Sequence, residues 1–209
     1  MGRFITFEGG EGGGKSTQTV LLAEALRARG LEVVTTREPG GSPGAEAIRA
    51  LLVSGDTGRW DGVTEALLHF AARRDHLRST VWPALERGAW VISDRFADST
   101  RAYQGAGQGL EPEVIDTLYR LAVGRFAPDL TLILDLPVEE GLRRAGHRGG
   151  GEDRYERMGT AFHQRLRQGF LDIAAAQPKR CAVIDAAQPV AAVHRAVLET
   201  VEARLEPPA

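Results

Sequence analysis

The chain has 209 residues with 26 Lys and Arg side chains against 28 Asp and Glu, which gives a net charge of −2. This length is typical of one domain, and the balanced charge argues against general nucleic-acid or membrane-surface binding, which requires a basic excess. A hydrophobic content of 43% is enough for a core, and the single cysteine, Cys181, excludes an internal disulfide and predicts a reduced, cytoplasmic setting.

Short apolar runs alternate with long amphipathic stretches, a pattern typical of a parallel sheet flanked by helices. Five strands are predicted in chain order, at 3–8, 32–36, 89–93, 130–134 and 182–184. Helices are predicted at 15–29, 63–87, 111–124, 155–176 and 190–205. The second of these helices is expected to kink at Pro83. The prediction is therefore an α/β protein with a five-stranded parallel sheet, whose ligands lie beyond the carboxyl ends of the strands.

A phosphate-binding loop follows the first predicted strand. Residues 9–16 read GGEGGGKS and fit G-x-x-x-x-G-K-[ST] between a strand and a helix, the context that the motif requires. The glycines let backbone amides wrap a phosphate, Lys15 reaches the β- and γ-phosphates, and Ser16 supplies a hydroxyl to Mg²⁺. The predicted nucleotide-binding residues are Gly9, Gly10, Glu11, Gly12, Gly13, Gly14, Lys15, Ser16 and Thr17.

The motifs of two large nucleotide-using classes are missing from the sequence. Guanine-specific switch proteins need an N/T-K-x-D element, but the chain has no asparagine, and neither of its two lysines, Lys15 and Lys179, lies in such an element. The protein-kinase signatures H-R-D-x-x-x-x-N and D-F-G are absent as well. A short P-loop chain without either set favours a kinase for a small phosphate acceptor.

Two further motifs follow the second and third predicted strands. Residues 36–41 read TREPGG, and residues 94–104 read DRFADSTRAYQ. Together with FEG at 7–9, they closely resemble thymidylate kinase of the bacterial type, and the resemblance covers essentially the whole chain. It implies a P-loop NTPase fold in a single domain at 1–209 and the Mg²⁺-dependent transfer of the γ-phosphoryl group of ATP to dTMP. It also implies a homodimer in the cytoplasm, with no nucleic-acid or membrane partner.

The resemblance assigns the phosphate chemistry to side chains near the strand ends. Arg95 would clamp the donor and acceptor phosphates, Asp94 would organise Mg²⁺ together with Ser16, and Arg49 would contact the phosphate of dTMP. Because the acceptor is already a phosphate oxygen anion, we expect positioning and charge neutralisation to dominate catalysis, without a general base.

The resemblance implies a base pocket on a helix that carries an aromatic residue four positions before an arginine, a spacing that places both on one helix face. His69 has this spacing to Arg73, and Phe70 has it to the next arginine, so the stacking residue stays open between His69 and Phe70. Arg73 is favoured as the donor to the base. By resemblance, Tyr103 would press against the sugar and Gln104 would meet the thymine edge. The remaining predicted substrate contacts are Glu38, Pro39, Ser99 and Thr100.

A segment rich in glycine and arginine at 147–154, HRGGGEDR, is predicted to form a mobile lid within an insert at about 145–155. The interior of the P-loop carries no arginine, and the family pattern with this feature places the arginine on the lid. Arg154 is therefore predicted to reach the transferring phosphoryl group, with Arg148 as a second candidate. Glu11, an acid beside phosphates, is expected to pair with a lid arginine on closure.

Three alternative functions stay open on the sequence. A deoxynucleoside kinase typically carries Glu-Arg-Ser where this chain has Asp94, Arg95 and Phe96. Another nucleoside monophosphate kinase would need an altered base pocket. A nucleotide-dependent regulatory P-loop protein needs no second phosphate pocket, so the arginines on the acceptor side argue against it.

Overall fold

The computed structural model describes residues 2–146 and 154–205. One parallel sheet has the strand order β2-β3-β1-β4-β5. Its strands are β1 (Phe4–Glu8), β2 (Val33–Arg37), β3 (Trp90–Asp94), β4 (Leu130–Asp135) and β5 (Cys181–Asp185). The prediction of a five-stranded parallel sheet is confirmed, and each predicted strand end lies within one residue of the observed end.

The helices of the described residues are α1 (Lys15–Ala28), α2 (Pro43–Leu52), α3 (Gly62–His76), α4 (Trp82–Glu86), α5 (Ala97–Thr100), α6 (Pro112–Ala122), α7 (Val138–Gly146), α8 (Thr160–Ala176) and α9 (Val190–Leu205). Two segments are π-helical, Leu77–Val81 and Arg101–Gly107. The helix predicted at 63–87 is wrong as one regular element, because the first π-helical segment separates α3 from α4. Pro83 has no N–H to donate to the preceding turn, so the regular hydrogen-bond ladder is broken there.

Three of the observed helices, α2, α5 and α7, lie outside the predicted set, and α8 begins five residues later than predicted. None of the helices at 2–146 and 154–205 combines the length and apolar character needed to cross a membrane.

Both faces of the sheet are covered by helices. Ile5 and Phe7 of β1 pack in one apolar cluster that includes residues of α1 and α9, whereas Phe4 packs on the opposite face in a cluster that includes residues of α3 and α6. Burial on both faces explains why β1 reads as a nearly continuous apolar run. In the pairing of β1 with β3, Phe7 lies opposite Asp94, so Glu8 and Asp94 emerge at the same edge of the sheet.

Candidate functional site

The P-loop connects β1 to α1 and provides an anion site of backbone amides. Gly14 precedes α1 with a left-handed φ of +84° and has no side chain to cap the helix, so the amides of the first turn are not occupied by a side-chain cap. Lys15 Nζ donates to the carbonyl oxygens of Gly9 at 3.1 Å and Gly10 at 2.7 Å. Burial, followed by the charge of Arg95, lowers the pKa of Lys15 from 10.5 to about 8.

Ser16 and Asp94 place two oxygen atoms side by side where α1 begins and β3 ends. Ser16 Oγ donates to Asp94 Oδ2 at 2.5 Å. Hydroxyl and carboxylate oxygens are the ligands that Mg²⁺ prefers, so the pair fits the predicted metal role. Thr17 follows on α1 and is exposed.

Arg95 connects the P-loop to the acceptor side. Its Nη1 donates to Gly9 O at 3.1 Å and to Ser99 Oγ at 3.2 Å. The guanidinium lies 4.9 Å from the centre of the Tyr103 ring. The backbone of Arg95 has a φ of +73°, a left-handed conformation that costs a residue other than glycine about 1–3 kcal/mol. Such conformations cluster where the surrounding structure must hold a functional group in place.

Glu11 pairs with Arg95 and Tyr103. Its carboxylate accepts hydrogen bonds from Arg95 Nη2 at 3.0 Å and from the hydroxyl of Tyr103. Burial raises the pKa of Glu11, but the charges of Arg95 and Lys15 outweigh it and bring the pKa to about 2. Among the described residues the cationic partner of Glu11 is Arg95, which follows the neighbouring strand β3. The expected pairing of Glu11 with a lid arginine on closure stays a prediction, because Arg148 lies outside the described residues.

A partly open cavity lies beside the P-loop. We call it the acceptor cavity. Ten predicted site residues line it: Glu11, Glu38, Pro39, Arg49, His69, Arg73, Arg95, Ser99, Tyr103 and Gln104. Its lining also contains Val53, Tyr155 and Glu156, which the sequence analysis did not identify.

His69 and Phe70 separate onto different sides of α3. His69 lines the acceptor cavity and lies within 3.2 Å of the Tyr155 hydroxyl. Burial and then the charge of Arg73 lower the pKa of His69 to about 3, so it presents an uncharged ring at neutral pH. Phe70 is buried in the core against Tyr119. The prediction of Phe70 as a substrate contact is therefore wrong, and His69 is the aromatic residue of this pair that lines the cavity.

Arg73 is held by a buried network. Its Nε donates to Glu38 Oε2 at 2.7 Å, while its Nη2 donates to Phe96 O at 3.1 Å and Thr100 Oγ1 at 3.2 Å. His76, a residue that the sequence analysis missed, contacts the other oxygen of Glu38 through Nδ1 at 2.9 Å. Thr100 is buried and does not line the cavity, so its predicted contact with substrate is wrong; it supports Arg73 instead.

Glu8 is buried under the site at the end of β1. It accepts hydrogen bonds from the Phe96 amide at 2.8 Å, the Ser99 amide at 3.3 Å and the Ser99 hydroxyl at 2.6 Å. Burial, and then the charge of Asp98, raise the pKa of Glu8 to about 8. In the sequence, Glu8 stood out only as part of the FEG run at 7–9, which indicated no role for its side chain.

Arg154 does not reach the P-loop. It is 1% exposed, and its guanidinium donates to backbone oxygens of Asp56 at 2.8 Å, Thr57 at 2.9 Å and Leu52 at 3.3 Å. It also forms an ion pair with the buried Glu65. In this arrangement each guanidinium nitrogen of Arg154 donates to protein oxygen, so Arg154 is not available to a phosphate at the P-loop. Its predicted contact with the transferring phosphoryl group on lid closure stays a prediction. The remainder of the predicted lid, at 147–153 with Arg148, lies outside the described residues.

Comparison with known proteins gives one consistent result. The sequence profile described as thymidylate kinase matches residues 7–197. The thymidylate kinase of Caulobacter vibrioides is 57% identical over 205 residues, which cover 98% of both chains. That of a Bradyrhizobium strain is 52% identical, over 98% of this chain and 91% of the relative. The crystal structure of thymidylate kinase from Ehrlichia chaffeensis is 39% identical with a TM-score of 0.76, over 96% of this chain and 98% of that one.

Proposed function

The chain belongs to the thymidylate kinase family and is an ATP:dTMP phosphotransferase of the P-loop NTPase fold, and we propose that the P-loop and the acceptor cavity perform this reaction. The observation that supports the proposal most directly is the position of Arg95. This one guanidinium contacts the P-loop carbonyl of Gly9 and also lines the acceptor cavity. A cation between two phosphate sites is what transfer between two polyanions requires.

The reaction needs no general base on the protein, because the attacking group is an ionised phosphate oxygen of dTMP. Lys15 and the amides of the P-loop hold the donor phosphates of ATP. Arg49 lines the acceptor cavity and donates to Pro39 O at 2.8 Å. We assign it to the phosphate of dTMP. Arg95 neutralises charge between the two and aligns them.

Ser16 and Asp94 are the residues that would hold Mg²⁺, through the hydroxyl and carboxylate oxygens that lie 2.5 Å apart. When bound, Mg²⁺ neutralises charge on the phosphates of ATP. The chain contributes the orientation of its oxygen ligands at the end of β3 and the start of α1.

The nucleoside of dTMP is assigned to the deeper part of the acceptor cavity. The uncharged ring of His69 stacks on the base, and Arg73 and Gln104 contact its edge, with Glu38, Pro39 and Ser99 around it. Tyr103 packs against the sugar. Phe70 and Thr100 are left out of this contact set, for the reasons given above.

The proposal also includes a single kinase domain over 1–209, a lid arginine at Arg148, a cytoplasmic location and a homodimer. The dimer is supported by large apolar side chains exposed on α3 and α6. Leu67 of α3 is 50% exposed and Leu121 of α6 is 82% exposed. Size-exclusion chromatography with light scattering tests the homodimer. A monomeric mass at micromolar concentration would contradict it.

The decisive experiment measures ADP release with ATP and Mg²⁺ against dTMP, dUMP, dCMP, GMP and thymidine. We expect dTMP to be the preferred acceptor. Turnover of thymidine without turnover of dTMP would indicate a nucleoside kinase, and no preference among monophosphates would contradict the proposal. Lys15→Ala should abolish transfer, whereas Lys179→Ala, a change of the exposed second lysine, should leave it unchanged.

A further inference from the structure

Two buried polar atoms of residues that line the acceptor cavity have no hydrogen-bond partner among the described residues. Arg73 Nη1 is a donor, and Gln104 Oε1 is an acceptor. Buried polar atoms are normally hydrogen-bonded. A ligand in the cavity that presents an acceptor and a donor to this wall would satisfy both atoms.

Glu65 decides which end of the Gln104 amide is left for the ligand. Gln104 Nε2 donates to Glu65 Oε2 at 2.9 Å and to the Tyr155 hydroxyl at 3.4 Å. An ionised carboxylate only accepts hydrogen bonds, so a flipped amide would place its oxygen against an oxygen of Glu65. The carbonyl oxygen of Gln104 is consequently the atom left to meet the base.

The carboxylate of Glu65 is itself held in one orientation. Its exposed fraction is 0%, and Oε1 is paired with Arg154. Oε2 accepts from Gln108 Nε2 at 2.8 Å and from the Tyr155 hydroxyl at 3.2 Å, in addition to Gln104. Donors on both oxygens restrain Glu65 from rotating, so the orientation it imposes on Gln104 is stable.

We propose that Glu65 is a positioning residue that fixes the polarity of the Gln104 amide and thereby selects bases with a ring N3–H against cytosine. This inference rests on the proposed phosphorylation of dTMP. Thymine and uracil present an N3–H donor beside the O4 acceptor, which complements Gln104 Oε1 and Arg73 Nη1. Cytosine reverses both, with an acceptor at N3 and a donor amino group at C4. It would leave buried groups unpaired, which is how sites built for hydrogen bonding reject analogues strongly.

The test compares Glu65→Gln with the wild-type enzyme on dTMP, dUMP and dCMP. A glutamine side chain can donate as well as accept, so it tolerates either orientation of the Gln104 amide. The kcat/KM ratio of dTMP to dCMP should fall by about 10-fold or more. The ratio of dTMP to dUMP should stay within about twofold, since these bases share the same edge and differ by a methyl group. Calorimetric Kd values for the three nucleotides without ATP should show the same pattern.

Arg154→Lys is the matched control, because it damages the same buried ion pair but keeps a cation beside an ionised Glu65. It removes hydrogen bonds from Arg154 to backbone oxygens, so we expect a lower Tm with an unchanged dTMP to dCMP ratio. If Glu65→Gln does not fold, the double variant Glu65→Gln/Arg154→Gln carries the same prediction. It removes the carboxylate without leaving a buried guanidinium unpaired.

The possible outcomes separate the two proposals. A wild-type enzyme that does not phosphorylate dTMP would contradict the proposed function. A wild-type enzyme that prefers dTMP, together with a Glu65→Gln variant that discriminates against dCMP equally well, would overturn the role of Glu65 alone. An equal loss of the dTMP to dCMP ratio in Arg154→Lys would overturn it too, since the ion pair and not the carboxylate would then set selectivity.

Discussion

The contact between the P-loop and α7 provides a sharp test of how the loop is positioned. Gly141 of α7 packs directly under the loop, and a Cβ added at Gly141 would lie 2.6 Å from the backbone oxygen of Glu11. The approach is close from the other side too, since a Cβ on Gly12 would lie 2.1 Å from the backbone oxygen of Gly141. Gly141→Ala should therefore displace the P-loop, since neither partner is a flexible side chain.

The size of the displacement follows from the contact distance. Ordinary van der Waals contact for a Cβ begins at 3.4 Å, so the loop or helix must move by 3.4 − 2.6 = 0.8 Å. Misplacement of reacting groups by about 1 Å costs about 100-fold in rate. We expect kcat/KM for ATP to fall by about 30- to 100-fold in a steady-state ADP-release assay with saturating dTMP. The Kd of dTMP, measured without ATP, should change less than the Kd of ATP.

Gly146→Ala is the matched control at the end of the same helix. A Cβ at Gly146 meets no described atom within 4 Å, and alanine is the better helix former. We expect wild-type kinetics for this variant. If Gly141→Ala retained wild-type kcat/KM for ATP, or if Gly146→Ala lost as much, the packing of α7 would not position the P-loop.

Three further predictions concern the groups around Arg95. Arg95→Ala and Arg95→Gly should both abolish transfer. In urea denaturation the glycine variant should be more stable than the alanine variant by about 1 kcal/mol, because glycine adopts the left-handed φ without strain. Equal stability of the two variants would show that the backbone carries no strain. The pKa of Glu8 is about 8 in the folded protein and about 4.5 in the unfolded chain. The stability that protonated Glu8 contributes to the folded state is therefore fully present below pH 4.5 and is lost as pH rises to 8. Glu8→Gln should gain stability relative to wild type across this window, and a difference independent of pH would refute the shift. In the enzyme without nucleotide, Lys15 is cationic below its pKa of about 8. The affinity of the enzyme for ATP should therefore decline between pH 7 and pH 9, and a Kd for ATP that does not change over this range would contradict the prediction.

The fold and the phosphate chemistry could be predicted because their signals are local in the sequence. The P-loop is one contiguous run after a strand, and its glycines and Lys15 act through backbone geometry that few other sequences adopt. The strands were found from short apolar runs, since burial on both faces removes polar residues from them. The polar side chains that follow β1 and β3 in the sequence then indicated the edge of the sheet at which the ligands bind.

The errors arose where a residue's role depends on what packs against it. His69 and Phe70 are adjacent in sequence with the same spacing to an arginine, so only the rotation of α3 against the core places one at the cavity and the other inside. The sequence pattern also could not decide whether Arg154 or Arg148 contacts the transferring phosphoryl group. Only the tertiary structure shows that Arg154 is buried against Glu65, 89 positions away in the chain, and away from the P-loop.

The sequence by itself therefore determined the sheet, the phosphate loop and the chemical class of the reaction, because each is encoded in residues close together along the chain. Only the tertiary structure decided that Glu11 pairs with Arg95, that Thr100 supports Arg73, and that Glu65 orients Gln104. The two ends of the Gln104 amide are chemically different but nearly equal in shape. The sequence can name the amide, but a buried carboxylate on another helix decides which of its atoms faces the base.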